Sequence, residues 1–135
     1  MKINKKISEE FVENSIDFWL KERGFKINQA NAKNLHGVDI KAHHENGQEY
    51  FIECKGETKG ENSALDFATG LGQLLFRMAE VKGPKSWQYF YLAIPKTKGF
   101  LRQYKKFSNV NLKRMKIRFF IVDEYGEVKE VRKIN

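Results

Sequence analysis

The sequence predicts an α/β fold with a mixed central β-sheet flanked by helices, and three observations predict it. The stretch "SEEFVENSIDFWLKER" repeats its apolar side chains at helical spacing. "HGVDIKA" and "EYFIECK" alternate apolar and polar residues on either side of Asn46-Gly47, as a half-buried hairpin does. "WQYFYLAIP" is almost unbroken in its apolar character, which marks a central strand covered on both faces.

The first helix is expected over residues 8 to 23. Ser8 is placed to cap it, acidic residues crowd its first turn, Lys21 and Arg23 its last, and Gly24 stops it. At about 100° per residue, Val12, Ile16, Trp19 and Leu20 share an apolar arc, and Glu13 falls at its edge, roughly 20° from Leu20. Residues 25 to 31 make a short, weakly patterned strand. In the hairpin, a two-residue turn would mix polar and apolar residues on both faces. A three-residue loop from Glu45 to Gly47, with Gly47 left-handed, instead sets Val38 opposite Cys54, Ile40 opposite Ile52 and Ala42 opposite Tyr50. Burial of one face selects that register. A helix follows from about 63 to 82, with Ser63 and Asp66 resembling a capping box. Its Gly70 and Gly72 suggest close packing on the sheet or a nearby ligand. "KGFLRQYKKF" reads as a short basic helix or loop, and two strands about Tyr125-Gly126 close the chain.

A chain of 135 residues with 41% hydrophobic and 13% aromatic content reads as one globular domain, residues 1 to 135, rather than a disordered tract. Its net charge of +8 suits a polyanionic partner, nucleic acid before an anionic membrane surface. A lone cysteine, Cys54, rules out an intrachain disulfide. The charged N-terminus lacks a signal-peptide pattern, and no apolar run approaches the roughly 20 residues of a membrane span. A soluble, cytoplasmic protein with no membrane partner is expected.

The hairpin register has a chemical consequence. Asp39 stands opposite Glu53, on the same face as Lys55. Facing carboxylates repel unless a cation lies between them. A divalent ion does this better than Lys55 alone, and Mg²⁺ takes one or two carboxylates together with waters and phosphate oxygens. Lys55 is then within reach of an attacking water or a scissile phosphate. The histidines at 36, 43 and 44 lack the partners of a zinc site. Cys54 shares the apolar face with Ile52 and reads as a buried hydrophobe, and Glu57 reads as a polar loop residue.

The order helix–strand–hairpin–helix–strand, with "VD" and "ECK" separated by thirteen residues, resembles the PD-(D/E)xK nuclease superfamily. That group is restriction endonuclease-like and includes Holliday-junction resolvases. The likeness covers roughly residues 8 to 95, with Val38 where a proline often stands. It implies an αβββαβ core and a Mg²⁺-dependent DNA endonuclease (Mn²⁺ as a substitute), restriction- or repair-related or structure-selective. Asp39, Glu53 and Glu13 would hold metal, and Lys55 would activate water. Glu13 fits the pattern E-x₆-L-x₃-G-[FY] of resolvase-like members. Gln73 resembles a glutamine placed beside the site, although Arg77 stands where a tyrosine follows it in some members.

Lys96, Lys98, Arg102, Lys105 and Lys106 are the expected nucleic-acid-binding residues, with Lys113, Arg114 and Lys116 continuing the basic stretch. Phe100, Tyr104 and Phe107 lie among them. Cutting both strands with so small a chain would call for a homodimer. A non-cleaving nucleic-acid-binding module on the same scaffold, or a domain meeting an acidic protein, are the competing readings.

Overall fold

Local chemistry starts and stops the elements much where the sequence indicates. The Ser8 hydroxyl accepts from the Phe11 N–H at 3.1 Å and opens α1 (Glu9–Glu22), and Gly24 leaves it at φ +85°. In this computed structural model, which describes residues 6–28, 39–60, 62–107 and 116–132, there follow β1 (Lys26–Asn28), β2 (Ile40–His43), β3 (Glu49–Cys54), α2 (Ser63–Glu80), β4 (Gln88–Pro95), α3 (Lys98–Phe107), β5 (Ile117–Val122) and β6 (Val128–Val131). The αβββαβ core is therefore present, with a further helix and two strands after it. The cap of α2 is Asn62, not Ser63. Its side-chain oxygen accepts from the Leu65 N–H at 3.2 Å, so Ser63 becomes the first helical residue. Asp66 instead receives the Thr58 hydroxyl at 3.3 Å.

The six strands form one mixed sheet in sequence order, β1 to β6. β3, β4 and β5 are parallel, while β1–β2, β2–β3 and β5–β6 are antiparallel. α2 links β3 to β4 and α3 links β4 to β5. Two crossovers of the same hand running in the same direction put both helices on one face. α1 covers the other, where Val12, Ile16 and Leu20 pack with Ile52, Cys54, Tyr91 and Phe120. Phe67, Leu71, Leu74 and Phe100 pack with Phe51, Phe90, Leu92 and Phe119 on the α2–α3 face. β4 is central and almost wholly buried, as its apolar run requires.

Both hairpins use the same turn. His44 and Gln48 bracket the first, with the Gly47 N–H donating to the His44 carbonyl and Gly47 at φ +97°. Asp123 and Glu127 bracket the second, with Gly126 at φ +85°. Only a left-handed residue closes this three-residue loop without splaying the strands. The first loop fixes Ile40 opposite Ile52 and Ala42 opposite Tyr50, the register selected by burial. Val38 and His36 lie outside the described residues, as do Lys113 and Arg114. Among the described residues, no helix is long and apolar enough to cross a membrane.

Candidate metal centre

Asp39 sits at the mouth of β2, one residue before Ile40, so the register sets it opposite Glu53. Its Oδ2 accepts from the Cys54 N–H at 2.7 Å, which ties its carboxylate across the hairpin. Glu53 points to the α2–α3 face and is only 4% exposed. Burial, then the charge of Asp39 and a hydrogen bond shared with it, push the Glu53 carboxyl up to about 9; the Lys55 ammonium offsets part of this. Two carboxyl groups share a hydrogen bond only when one carries a proton, and the buried Glu53 is the one that holds it.

Lys55 continues the β3–β4 pairing by donating its N–H to the Ala93 carbonyl at 2.9 Å. Gly70 of α2 makes room for its side chain. A Cβ on Gly70 would lie 3.1 Å from Lys55 Cγ and 2.7 Å from Leu92 Cδ1. Gly72, by contrast, meets nothing within 4 Å. Among the described residues, Lys55 closes no direct ion pair with Glu53 or Glu57. Its charge serves the carboxylate group as a whole.

The third side of the site comes from α1. Gly56, just past the Glu53–Lys55 tripeptide, lies directly against the helix N-terminus; a Cβ there would fall 2.0 Å from the Glu9 backbone nitrogen. Glu57 then clamps the chain in both directions. Its N–H donates to the Ile7 carbonyl at 2.7 Å and its Oε1 accepts from the Ile7 N–H at 2.8 Å. The first two turns of α1 are thus held over the ends of β2 and β3. Ligand atoms of Glu9, Glu13 and Asp39 all lie within 4.8 Å of one another. Burial, and after it the charges of Asp39, Glu9 and Glu10, raise Glu13 to about 7. Burial and Asp39 raise Glu9 as well. A cleft of about 200 Å³, lined by Glu13, Asn14, Asp17, Asn28 and Asp39, opens beside the group.

The fold therefore brings Glu13 to Asp39, and Asp39 to Glu53 and Lys55. It leaves Gln73 exposed on α2, three residues beyond Gly70, with no hydrogen bond to the carboxylates among the described residues. Sequence reasoning missed Glu9. The signal was there, since positions 9 and 13 share a helix face. It was hidden because an acid in a first turn is already explained by the helix dipole. Cys54 is fully buried, and burial raises its thiol well above the ordinary range, so it is no nucleophile. His43 and His44 flank the hairpin turn, with His44 edge-on to Phe25 at 5.1 Å.

Lys96, Lys98, Arg102, Lys105 and Lys106 are all exposed. Lys96 and Lys98 leave the C-terminal end of β4, the same end of the sheet that carries Glu53 and Lys55. They line a cleft of about 770 Å³ with Lys6, Glu57, Asp123 and Tyr125. The interleaved aromatics face inward: Phe100 is buried, Tyr104 meets Phe119 at 5.1 Å, and Phe107 stacks on Phe67 at 5.2 Å.

The same architecture occurs in two solved structures. One is an XisH family protein from Nostoc punctiforme, with a TM-score of 0.57 and 19% identity over 90% of this chain and 98% of that one. The other is an fdxN element excision controlling factor protein from Anabaena variabilis, with a TM-score of 0.59 and 19% identity over 93% and 99%. At that identity the likeness is one of fold. No protein-family model matches the chain, and no curated protein does.

Proposed function

We propose that this protein is a metal-dependent phosphodiesterase that cuts DNA, with Asp39, Glu53, Glu13 and Lys55 as its working residues. The observation that carries the reading is the meeting of Glu9 and Glu13 of α1 with Asp39, their ligand atoms within 4.8 Å of one another, while Asp39 faces the buried Glu53 and the Lys55 charge acts on Glu53 and Glu9. Glu9, Glu13 and Glu53 hold protons more tightly than exposed carboxylates do. Such a group is expensive to ionise by itself and well suited to a cation.

The donor set is all oxygen, which fits a hard divalent ion rather than zinc. Asp39, Glu53 and Glu13 would hold Mg²⁺, or Mn²⁺ in its place, with Glu9 within reach. Bound there, the ion supplies Lewis-acid neutralisation of phosphate charge. Asp39 and Glu53 would hold it from the hairpin, and Glu13 would hold it from the helix. The Lys55 side chain, steadied against Gly70, offers donors to a water or a phosphate oxygen as negative charge builds. Lys96, Lys98 and Arg102, with the neighbouring Lys105 and Lys106, would track phosphates leading to the site. Because the aromatics between them face the core, this binding is to the backbone and independent of sequence. One structural neighbour is named for control of element excision, which agrees with DNA as the partner.

Incubation with linear, nicked, single-stranded and branched DNA tests the reading. Cleavage is expected with Mg²⁺ or Mn²⁺ and none with chelator. Lys98→Ala and Arg102→Ala should each weaken binding alike on all sequences and lower the salt slope by about 1. Tight, salt-dependent binding with no cleavage under any metal would make the protein a non-cleaving binding module instead.

A further inference from the structure

The outward face of α2 is the least expected surface of the molecule. The chain is 31% charged, yet of the 18 residues of α2 only Asp66, Arg77 and Glu80 carry charge; Asp66 and Arg77 are half-buried beside the outward face, and the exposed Glu80 stands at its rim, paired with Arg77 at 3.9 Å. That arc holds Leu65, Ala68, Thr69, Gly72, Leu75, Phe76 and Ala79. Leu65 is 59% exposed, Leu75 41% and Phe76 75%. Ala68, Thr69 and Ala79 are exposed as well, and Gly72 faces open space. Positions 65, 68, 72, 75 and 79 alternate spacings of three and four, the pattern of a helix seam that meets another helix.

We propose that a second copy of this chain covers the face, with α2 packed antiparallel on its own counterpart about a two-fold axis through Gly72. The size pattern selects this occupant. With Gly72 on the axis, Leu65 falls opposite Ala79 of the second copy, Ala68 opposite Phe76, and Thr69 opposite Leu75. Each large side chain meets a small one, so the surface is complementary to itself, as an isologous interface must be. Gly72 at the crossing lets the two backbones approach closely. Charge agrees. Two copies of a +8 chain meet here without a like-charge contact along the seam, and the Asp66 end of one helix lies beside the Arg77 end of the other. Phe76 alone leaves on the order of 150 Å² uncovered. Two helices each about 27 Å long, packed this way, bury on the order of 1,000 Å² in all, the lower bound for a specific interface. The dimer is accordingly a weak one, formed at micromolar concentration.

The test needs no enzymatic activity, so it stands or falls apart from the proposed chemistry. Sedimentation velocity from about 5 to about 200 µM brackets a micromolar association. The wild-type mass should climb from 15.9 kDa towards twice that value. Phe76→Glu should stay monomeric throughout, with unchanged circular dichroism, because its side chain packs on the outside. Disulfide trapping then fixes the geometry, since the native Cys54 is buried. Gly72→Cys, placed where nothing lies within 4 Å, should couple to its own copy on mild oxidation. Leu65→Cys should couple little by itself and readily when mixed with Ala79→Cys. A monomer at every concentration would overturn the proposal, and so would Leu65→Cys coupling to itself as fast as Gly72→Cys does.

Discussion

Glu130 and Glu53 both turn a carboxylate into the sheet from a strand, and they are held by opposite kinds of neighbour. Glu130, on β6, accepts from the Tyr50 hydroxyl at 3.1 Å and from the Tyr91 hydroxyl at the same oxygen, and Arg132 lies 3.2 Å from its other oxygen. Arg118 adds a donor to Tyr91 at 3.3 Å and stacks on Tyr89 at 4.3 Å. Both oxygens of that carboxylate have a donor, and the guanidinium beside them offsets its charge. Glu53 is more deeply buried, and its nearest polar neighbour is another carboxyl group. A satisfied buried carboxylate supports the structure, whereas an unsatisfied one waits for something the chain does not contain.

Conservative amide substitutions should separate the two, and this is the largest effect expected. Glu53→Gln keeps the shape and removes the charge. Cleavage should fall at least about 100-fold, the loss typical of removing a group that acts on transition-state charge. Metal-free stability should hold or rise, because the fold no longer has to keep a buried carboxyl protonated above its ordinary range. Glu130→Gln should do the reverse: cleavage persists, and stability drops by about 1–3 kcal/mol as the Tyr50–Tyr91–Arg132 network loses its acceptor charge. Paired melts and cleavage rates measure both. Equal damage to cleavage from the two variants would erase the distinction.

The middle-sized effect concerns the helix carboxylates, which belong to the unsatisfied group through α1. Glu13→Gln should weaken metal binding or cleavage by about 10- to 100-fold, the range for groups that orient or complete a metal site. Glu9→Gln should move it in the same direction. Titrating Mg²⁺ against cleavage rate, with wild type alongside, reads this out. Superimposable curves would reduce Glu9 and Glu13 to ornaments of the helix dipole, a role that costs about 0.3–1 kcal/mol of stability when lost.

The legible part of this molecule was whatever depends on burial. The hairpin register followed from putting Ile40, Ile52, Ala42 and Tyr50 on one side, and it carried Asp39 to Glu53 with it. The central place of β4 followed from its unbroken apolar run. Contacts between distant, featureless stretches were not legible. Nothing around Gly56 announces that it must lie bare against Glu9, yet that contact brings α1 to the site. Glu57 reads as a loop residue until its clamp on Ile7 is seen. Gln73 was nominated by the motif resemblance; the fold puts it on the exposed side of α2, one turn beyond the Gly70 that packs against Lys55.

The pH dependence of stability should distinguish the two carboxylate environments without any substrate. Burial and mutual repulsion raise Glu13 from 4.5 to about 7 and Glu53 from 4.5 to about 9 in the folded protein. Unfolding returns both to ordinary values. Between about 4.5 and about 9 the folded state therefore binds more protons than the unfolded one, and stability must fall as pH rises through that window. In chelator, the melting temperature should decline steadily from about pH 5 to about pH 9. Saturating Mg²⁺ should flatten or reverse the slope, because the ion favours the ionised carboxylates in the fold alone. Glu53→Gln should remove the upper part of the decline. A chelator profile that stays level or rises across this range would mean that the carboxylates around Asp39 are solvated and need no cation.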